Sequence, residues 1–114
     1  MPGMSLKVIN VTINTTNPAE LAQWWVTALD GKVTADFGDF IFTQAGDIGL
    51  GFQKAEPNHP NRVHMDLAAD DREAEVNRLV GMGAKRVADH EVPGIQWTVM
   101  NDPHGNEFCV SQGH

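Results

Sequence analysis

The chain has 114 residues, of which 41% are hydrophobic and 20% are charged, and its formal net charge is −7. This length and composition are typical of one globular domain and exclude a disordered chain. The acidic balance argues against a nucleic-acid partner, because contacts to phosphates require clustered lysine and arginine.

The number of cysteines and the N-terminal sequence indicate the cellular compartment in which we expect the protein. Cys109 is the only cysteine, so no intrachain disulfide can form and a reducing environment is favoured. The N-terminal segment has no charged region followed by an apolar run, and no stretch approaches the roughly 20 apolar residues of a membrane span. We therefore expect a cytoplasmic protein without a membrane partner.

The first half of the chain changes from a strand pattern to a helix pattern and back. Residues 6–16 alternate between apolar and polar, as in a strand with one apolar face. Asn17 and Pro18 then provide an N-cap and a first helical residue, and apolar residues recur at helical spacing until Gly31. Three more strands are predicted, over 32–37, 40–44 and 48–54.

The second half repeats this order after a connector over 55–61. Residues 62–68 alternate as a strand, and Asp70 and Asp71 then cap a predicted helix that ends at 81–83. Three further strands are predicted, over 85–89, 95–100 and 106–111.

The repeated order predicts an α+β fold with two tandem β-α-β-β-β modules, over about 6–54 and 62–112. Neither half has enough core to be stable alone, so we expect one domain over 1–114. Its strands should form one curved, mixed sheet around a concave pocket, with both helices on the outer face.

Two sequence runs carry a resemblance to a known family. Asn-Arg-Val-His-Met-Asp-Leu at 61–67 and Asp-Pro-His-Gly-Asn-Glu-Phe-Cys-Val at 102–110, in paired modules, resemble the vicinal oxygen chelate superfamily. This superfamily includes glyoxalases, bleomycin-resistance proteins and extradiol dioxygenases, and the nearest type is its compact bacterial glyoxalase-like members. The resemblance implies a small-molecule ligand held between the two modules, and a homodimer.

The resemblance also implies positions for metal ligands, one on the first and one on the last strand of each module. These positions fall on Asn10, on Gly51 or Gln53, on His64 and on Cys109. Only His64 is a plain match, and Cys109 stands where metal-using relatives commonly carry glutamate. Divalent metals prefer imidazole and ionised carboxylates. We therefore expect an incomplete metal-ligand set and no assigned cofactor, with His64 as the candidate ligand for a possible divalent metal.

The candidate residues with the most reactive side chains are His64, Asp66 and Cys109. Each of them also has an interpretation in which its role is only structural. His64 lies on the polar face of its strand and is the candidate catalytic residue, although a backbone partner would equally satisfy it. Asp66 shares that face and could orient the imidazole or bind a ligand hydroxyl, or it could be a strand-edge charge paired with lysine or arginine. Cys109 is more consistent with a small buried hydrophobe than with a reactive thiolate.

The predicted ligand-binding residues are Asn10, Thr12, Gln53, His64, Asp66 and Cys109. Trp97, with Phe40 and Phe42, could wall an apolar pocket or pack in the core. Of the adjacent Trp24 and Trp25, only one can face the core.

The sequence leaves several functions open. The leading hypothesis is a glyoxalase-like protein with a small-molecule pocket. The alternatives are a metal-dependent lyase, isomerase or dioxygenase, a protein that sequesters an antibiotic or toxin, and a structural interaction module. Fold does not decide between them, because one scaffold hosts many chemistries.

Overall fold

The computed structural model describes residues 8–57, 59, 61 and 63–112. The chain forms two compact units, Met1–Pro57 and Asn58–His114, and the boundary falls inside the predicted connector. Of the helices in the described part of the chain, none is long and apolar enough to cross a membrane.

The first unit contains one helix and four strands. In chain order they are β1 (Val11–Thr15), α1 (Pro18–Leu29), β2 (Lys32–Asp36), β3 (Phe40–Ala45) and β4 (Ile48–Lys54). The strands form one sheet in the order β1-β4-β3-β2, in which β1 and β4 are parallel and the other pairs are antiparallel.

Local chemistry sets both ends of α1. The side chain of Asn17 accepts a hydrogen bond from the Glu20 N–H at 3.3 Å, as an N-cap should, and Pro18 is the first helical residue. The helix ends at Leu29, and Asp30, rather than Gly31, takes the left-handed conformation with φ 53°. Gly31 is needed for another reason: a Cβ there would lie 2.7 Å from the Gln44 carbonyl oxygen on β3.

The core of the first unit lies between α1 and one face of its sheet. Leu21 and Trp25 from α1 are 0% and 1% exposed, and α1 contacts β3 and β4, whose buried residues include Ile41, Leu50 and Phe52. Trp24 is only half-buried and meets Trp25 edge-to-face at a ring-centroid distance of 4.9 Å. The expectation that only one tryptophan enters the core is confirmed.

The second unit repeats the same arrangement. Its elements are β5 (Met65–Ala68), α2 (Arg72–Gly81), β6 (Lys85–Val92), β7 (Ile95–Asn101) and β8 (Glu107–Gln112). Its sheet has the order β5-β8-β7-β6, with β5 parallel to β8, and its core joins α2 to one face of that sheet. The buried side chains of this core are Val76, Leu79, Met100, Phe108 and Val110.

The α+β class and the two tandem modules are confirmed. One detail differs, since hydrogen bonds join the described strands into two four-stranded sheets rather than into the single sheet expected. In each module the last strand pairs in parallel with the first strand, which forms one edge of that sheet. Strand β6 is also longer than predicted, because its pairing with β7 continues to Val92 and Ile95 at a two-residue turn.

Candidate functional site

Strand alternation divides the side chains of β8 between two environments. Phe108 and Val110 face α2 and the core, so Glu107, Cys109 and Ser111 face the opposite side of the sheet. The register of β5 against β8 pairs Asp66 with Cys109, which places Asp66 on this same side. The face opposite α2 therefore brings together Asp66, Glu107, Cys109 and Ser111.

A cavity of about 270 Å³ lies on this face, and we call it the His64 cavity. Its lining residues are His64, Asp66, Ile95, Trp97, Cys109 and Ser111. The polar lining residues come from β8 and from β5 and the residue before it, and the apolar lining residues Ile95 and Trp97 come from the adjacent strand β7.

Three groups in the His64 cavity approach one another closely. The imidazole Nε2 of His64 lies 3.3 Å from Oδ1 of Asp66, and both side chains are largely exposed. The potential ligand atoms of His64, Asp66 and Cys109 all lie within 4.8 Å of one another. The structure thus brings together the three predicted site residues of the second module.

The Cys109 thiol is not set up as a nucleophile by its surroundings. Burial raises the pKa of Cys109, and the negative charges of Asp66 and Glu107, with a hydrogen bond to Asp66, raise it further. A high pKa keeps a thiol protonated near neutral pH. This agrees with the interpretation of Cys109 as an unreactive buried residue in the absence of a cation.

Trp97 is the aromatic residue that lines the cavity, and it stacks on a neighbour on β6. Its ring stacks with that of His90 at a centroid distance of 5.3 Å and an interplanar angle of 27°. His90 and Trp97 are directly paired across β6 and β7, which explains the overlap. The pair offers a flat aromatic surface beside the polar groups.

A wider and more open depression of about 610 Å³ lies at the β6–β7 hairpin. Its lining residues are Glu91, Val92, Pro93, Gly94, Ile95, Gln96 and Gln112. Ile95 borders both this depression and the His64 cavity. Three predicted site residues, His64, Asp66 and Cys109, line the smaller cavity, so we consider that cavity the candidate chemical site.

The other predicted site residues lie in the first unit. Asn10 and Thr12 lie over glycines of β4, with the Thr12 hydroxyl 3.0 Å from where a Cβ of Gly51 would be. Gln53 donates from Nε2 to Oδ1 of Asn14 at 2.9 Å. The side-chain amide of Gln53 is therefore already paired with a neighbour that was not among the predicted site residues.

The four metal-ligand positions implied by the family do not fit a metal in this chain. In the first unit the structure offers the neutral amide of Asn10, a Gly51 without a side chain, and a Gln53 that is bonded to Asn14. None of these contributes the charge that a divalent cation requires. The expected incompleteness of that four-ligand set follows from the chemistry of these donors.

Sequence reasoning missed Ile95 and Ser111 as cavity residues. The available signal was the Pro93-Gly94 turn, which sets the register of β7 and puts Ile95 on the same face as Trp97. Ser111 follows Cys109 by two residues on β8 and so shares its face.

The tandem modules, each with a parallel pair of outer and inner strands, define the vicinal oxygen chelate class of fold. A family model described as a glyoxalase-like domain matches residues 10–111. The chain belongs to this glyoxalase-like family, and the resemblance drawn from the two sequence runs is confirmed.

Solved structures share the fold at low sequence identity. A glyoxalase/bleomycin resistance protein/dioxygenase family enzyme from Burkholderia phytofirmans has a TM-score of 0.78 at 17% identity, covering 92% of this chain and 97% of that one. A fosfomycin resistance protein from Listeria monocytogenes has a TM-score of 0.82 at 9% identity, covering 97% and 96%. A lactoylglutathione lyase from Agrobacterium tumefaciens has a TM-score of 0.69 at 15% identity, covering 94% and 93%.

At these levels of sequence identity the similarity shows a common fold and does not show a common activity. Among curated proteins, none matches the sequence.

Proposed function

We propose that this glyoxalase-like protein binds a small organic molecule in the His64 cavity. The observation that carries the proposal is the composition of the lining, in which the polar residues His64, Asp66 and Ser111 occur with the apolar residues Trp97 and Ile95. Small-molecule sites commonly combine an apolar wall with a few convergent polar groups that fix orientation.

The lining suggests the chemistry of the ligand. The Trp97 ring, stacked on His90, favours a planar or apolar group. The imidazole of His64 and the carboxylate of Asp66, 3.3 Å apart, favour a hydroxyl or carbonyl group at the polar end. A ligand that carries a planar or apolar group and also a hydroxyl or carbonyl group would contact both kinds of lining residue.

Structural neighbours show that the fold occurs in proteins of different roles, since one is named a lactoylglutathione lyase and another a fosfomycin resistance protein. Binding is the step that an enzyme and a sequestering protein share. We therefore propose binding first, with His64 as the candidate acid or base if the protein is catalytic.

A metal-dependent lyase, isomerase or dioxygenase is the second candidate function. The close approach of His64, Asp66 and Cys109 favours it.

We also propose a homodimer, which family membership supports, and a cytoplasmic location, which the single cysteine supports. Light scattering after size exclusion tests the homodimer.

The test of binding begins with native mass spectrometry of the purified chain, to detect a co-purified molecule. Small aromatic alcohols and aldehydes are then screened by ligand-observed NMR. We expect Trp97→Ala and His64→Gln each to weaken binding at least about tenfold, since each removes one side of the cavity. Gln23→Ala, on the exposed side of α1, is the control.

Retained affinity in both cavity variants would contradict the proposal, as would equal loss in Gln23→Ala. Circular dichroism of each variant shows that the fold is intact.

A further inference from the structure

The polar groups that line the His64 cavity are mainly hydrogen-bond acceptors. The hydroxyl of Ser111 donates its proton to the Leu67 carbonyl oxygen at 3.2 Å, so its lone pairs are left for a ligand. Asp66 contributes a carboxylate, which only accepts when it is ionised, and the thiol of Cys109 is already hydrogen-bonded to it. A ligand group placed among these atoms is therefore best matched if it donates hydrogen bonds.

The cavity also has negative charge in and beside its lining. Of the lining residues that the structure describes, Asp66 is acidic, His64 is neutral unless it is protonated, and none is lysine or arginine. Glu107 faces the same side of the sheet as Cys109 and acts on it by its charge, so a second carboxylate lies close by. At short range these charges attract a cation and repel an anion.

Two arginines of the second unit are held on the opposite side of its sheet. Arg72 donates to the hydroxyl of Thr98 at 2.6 Å, and Thr98 is fully buried and alternates with Trp97 along β7, so it faces α2. Arg86 donates to both carboxylate oxygens of Glu73 on α2, at 2.7 and 3.0 Å. These interactions keep both guanidinium groups away from the cavity, where they would otherwise offset its negative charge.

The indole ring of Trp97 adds a second attraction for a cation. Trp97 lines the cavity, and its stacking on His90 at a centroid distance of 5.3 Å restricts the orientation of the ring. Among aromatic side chains, tryptophan attracts an ammonium group over its face most strongly. Ile95 lines the same cavity and provides apolar surface for the rest of a ligand.

We propose that the His64 cavity selects an organic amine, with Asp66 and Trp97 binding its ammonium group. The lone pairs of Ser111 accept a further N–H of the same group. This inference rests on the proposed function, because it concerns the same cavity. It narrows the polar end of the ligand from a hydroxyl or carbonyl group to a cationic one, and it disfavours carboxylate, phosphate and phosphonate ligands.

The experiment compares three probes that share a phenyl ring and differ in the charge of the polar end. They are 2-phenylethylamine, a cation, 2-phenylethanol, which is neutral, and phenylacetate, an anion. Dissociation constants are measured by ligand-observed NMR titration of the full-length chain at pH 8 with chelator, where free imidazole is neutral and alkylammonium groups keep their charge. We expect the amine to bind about tenfold more tightly than the alcohol, and phenylacetate to bind most weakly.

Two cavity variants test the origin of this preference. Asp66→Asn removes the charge and keeps the size of the side chain, so the amine should lose most of its advantage over the alcohol. Trp97→Leu keeps apolar surface and removes the indole ring, so it should weaken the amine more than the alcohol. Glu75→Gln is the matched control, because it removes one carboxylate from α2, on the other side of the sheet. Circular dichroism of each variant shows that the fold is intact.

The outcomes separate this inference from the proposed function. If the alcohol binds and the amine binds no more tightly, the inference is wrong and the proposed function stands. If none of the three probes binds at millimolar concentration, both are wrong. An unchanged preference in Asp66→Asn would refute the role of that carboxylate, and an equal loss in Glu75→Gln would assign the preference to the net charge of the chain instead of to the cavity.

Discussion

Asp66 and Cys109 face each other across the parallel strands β5 and β8, and the carboxylate interacts with the thiol by charge and by a hydrogen bond. This relationship predicts that the Cys109 thiol reacts slowly with alkylating reagents. In the metal-free protein, alkylation of Cys109 at pH 7.5 should be at least about tenfold slower than in the denatured chain, because a buried thiol reacts on local opening.

Asp66→Asn should speed this alkylation, since removing the negative charge lowers the pKa of Cys109. Labelling followed by mass spectrometry measures the rate. Asp70→Asn, an exposed change before α2, is the control for a general loss of stability. Native labelling as fast as in the denatured chain would show that the thiol is not protected.

Gly49 is a position where the first sheet has no room for a side chain. A Cβ there would lie 2.5 Å from the Ile9 carbonyl oxygen and 2.7 Å from Oδ1 of Asn10. Gly49→Ala should therefore lower the free energy of unfolding by about 1–3 kcal/mol, as overpacking does. Urea unfolding measures the change.

Gly81→Ala is the matched comparison, since Gly81 is the last residue of α2 and a Cβ there meets no atom within 4 Å. This variant should gain about 0.5–1 kcal/mol, because alanine is the better helix former. Equal effects of the two changes would refute the close approach at Gly49.

Asp102 organises the turn before β8. Its side chain is 3% exposed, and Oδ1 accepts the backbone N–H groups of His104 and Asn106, both at 2.9 Å. Oδ2 also accepts the Asn106 side-chain amide at 3.0 Å. Asp102→Ala should cost about 2–4 kcal/mol, because it leaves buried donors without acceptors.

Asp102→Asn keeps one acceptor oxygen and should cost less than the alanine variant in the same denaturation experiment. If the two variants lost equal stability, the hydrogen bonds to Oδ1 would not be the source of the effect.

Asp89 should make the free energy of unfolding depend on pH in the acid range. The hydrogen bond from Thr98 at 2.7 Å lowers the pKa of Asp89 below its ordinary value of 3.8, and a hydrogen bond from Arg86 at 2.9 Å lowers it further. A lowered folded-state pKa contributes stability above the unfolded-state pKa, and that contribution is lost as the pH falls through the folded-state pKa. The loss should therefore begin near pH 5 and continue below the ordinary value of about 3.8.

The measurement is the free energy of unfolding from pH 7 to pH 2.5 for wild type and Asp89→Asn. The variant should be less stable at pH 7, and the difference should shrink on acidification. Asp47→Asn, an exposed change in the β3–β4 turn, is the control for the loss of one surface carboxylate elsewhere in the chain. A constant difference for Asp89→Asn would rule out the linkage.

The order of the elements could be predicted from sequence because it depends on local chemistry. Alternation along β1, the Asn17-Pro18 start of α1 and the Pro93-Gly94 turn each act over a few residues. For the same reason Asp66 and Cys109 could each be assigned to one face of its strand from the alternation of side chains alone.

What the sequence could not supply is the pairing of residues far apart along the chain. Strand alternation predicts that His64 and Asp66 share a face, but their approach to Cys109 depends on the parallel register of β5 and β8. The pairing of the strands of each module into a sheet and the hydrogen bond between Gln53 and Asn14 depend on register in the same way. Register is decided by side-chain packing against the helices, and this energy exists only once the chain is folded.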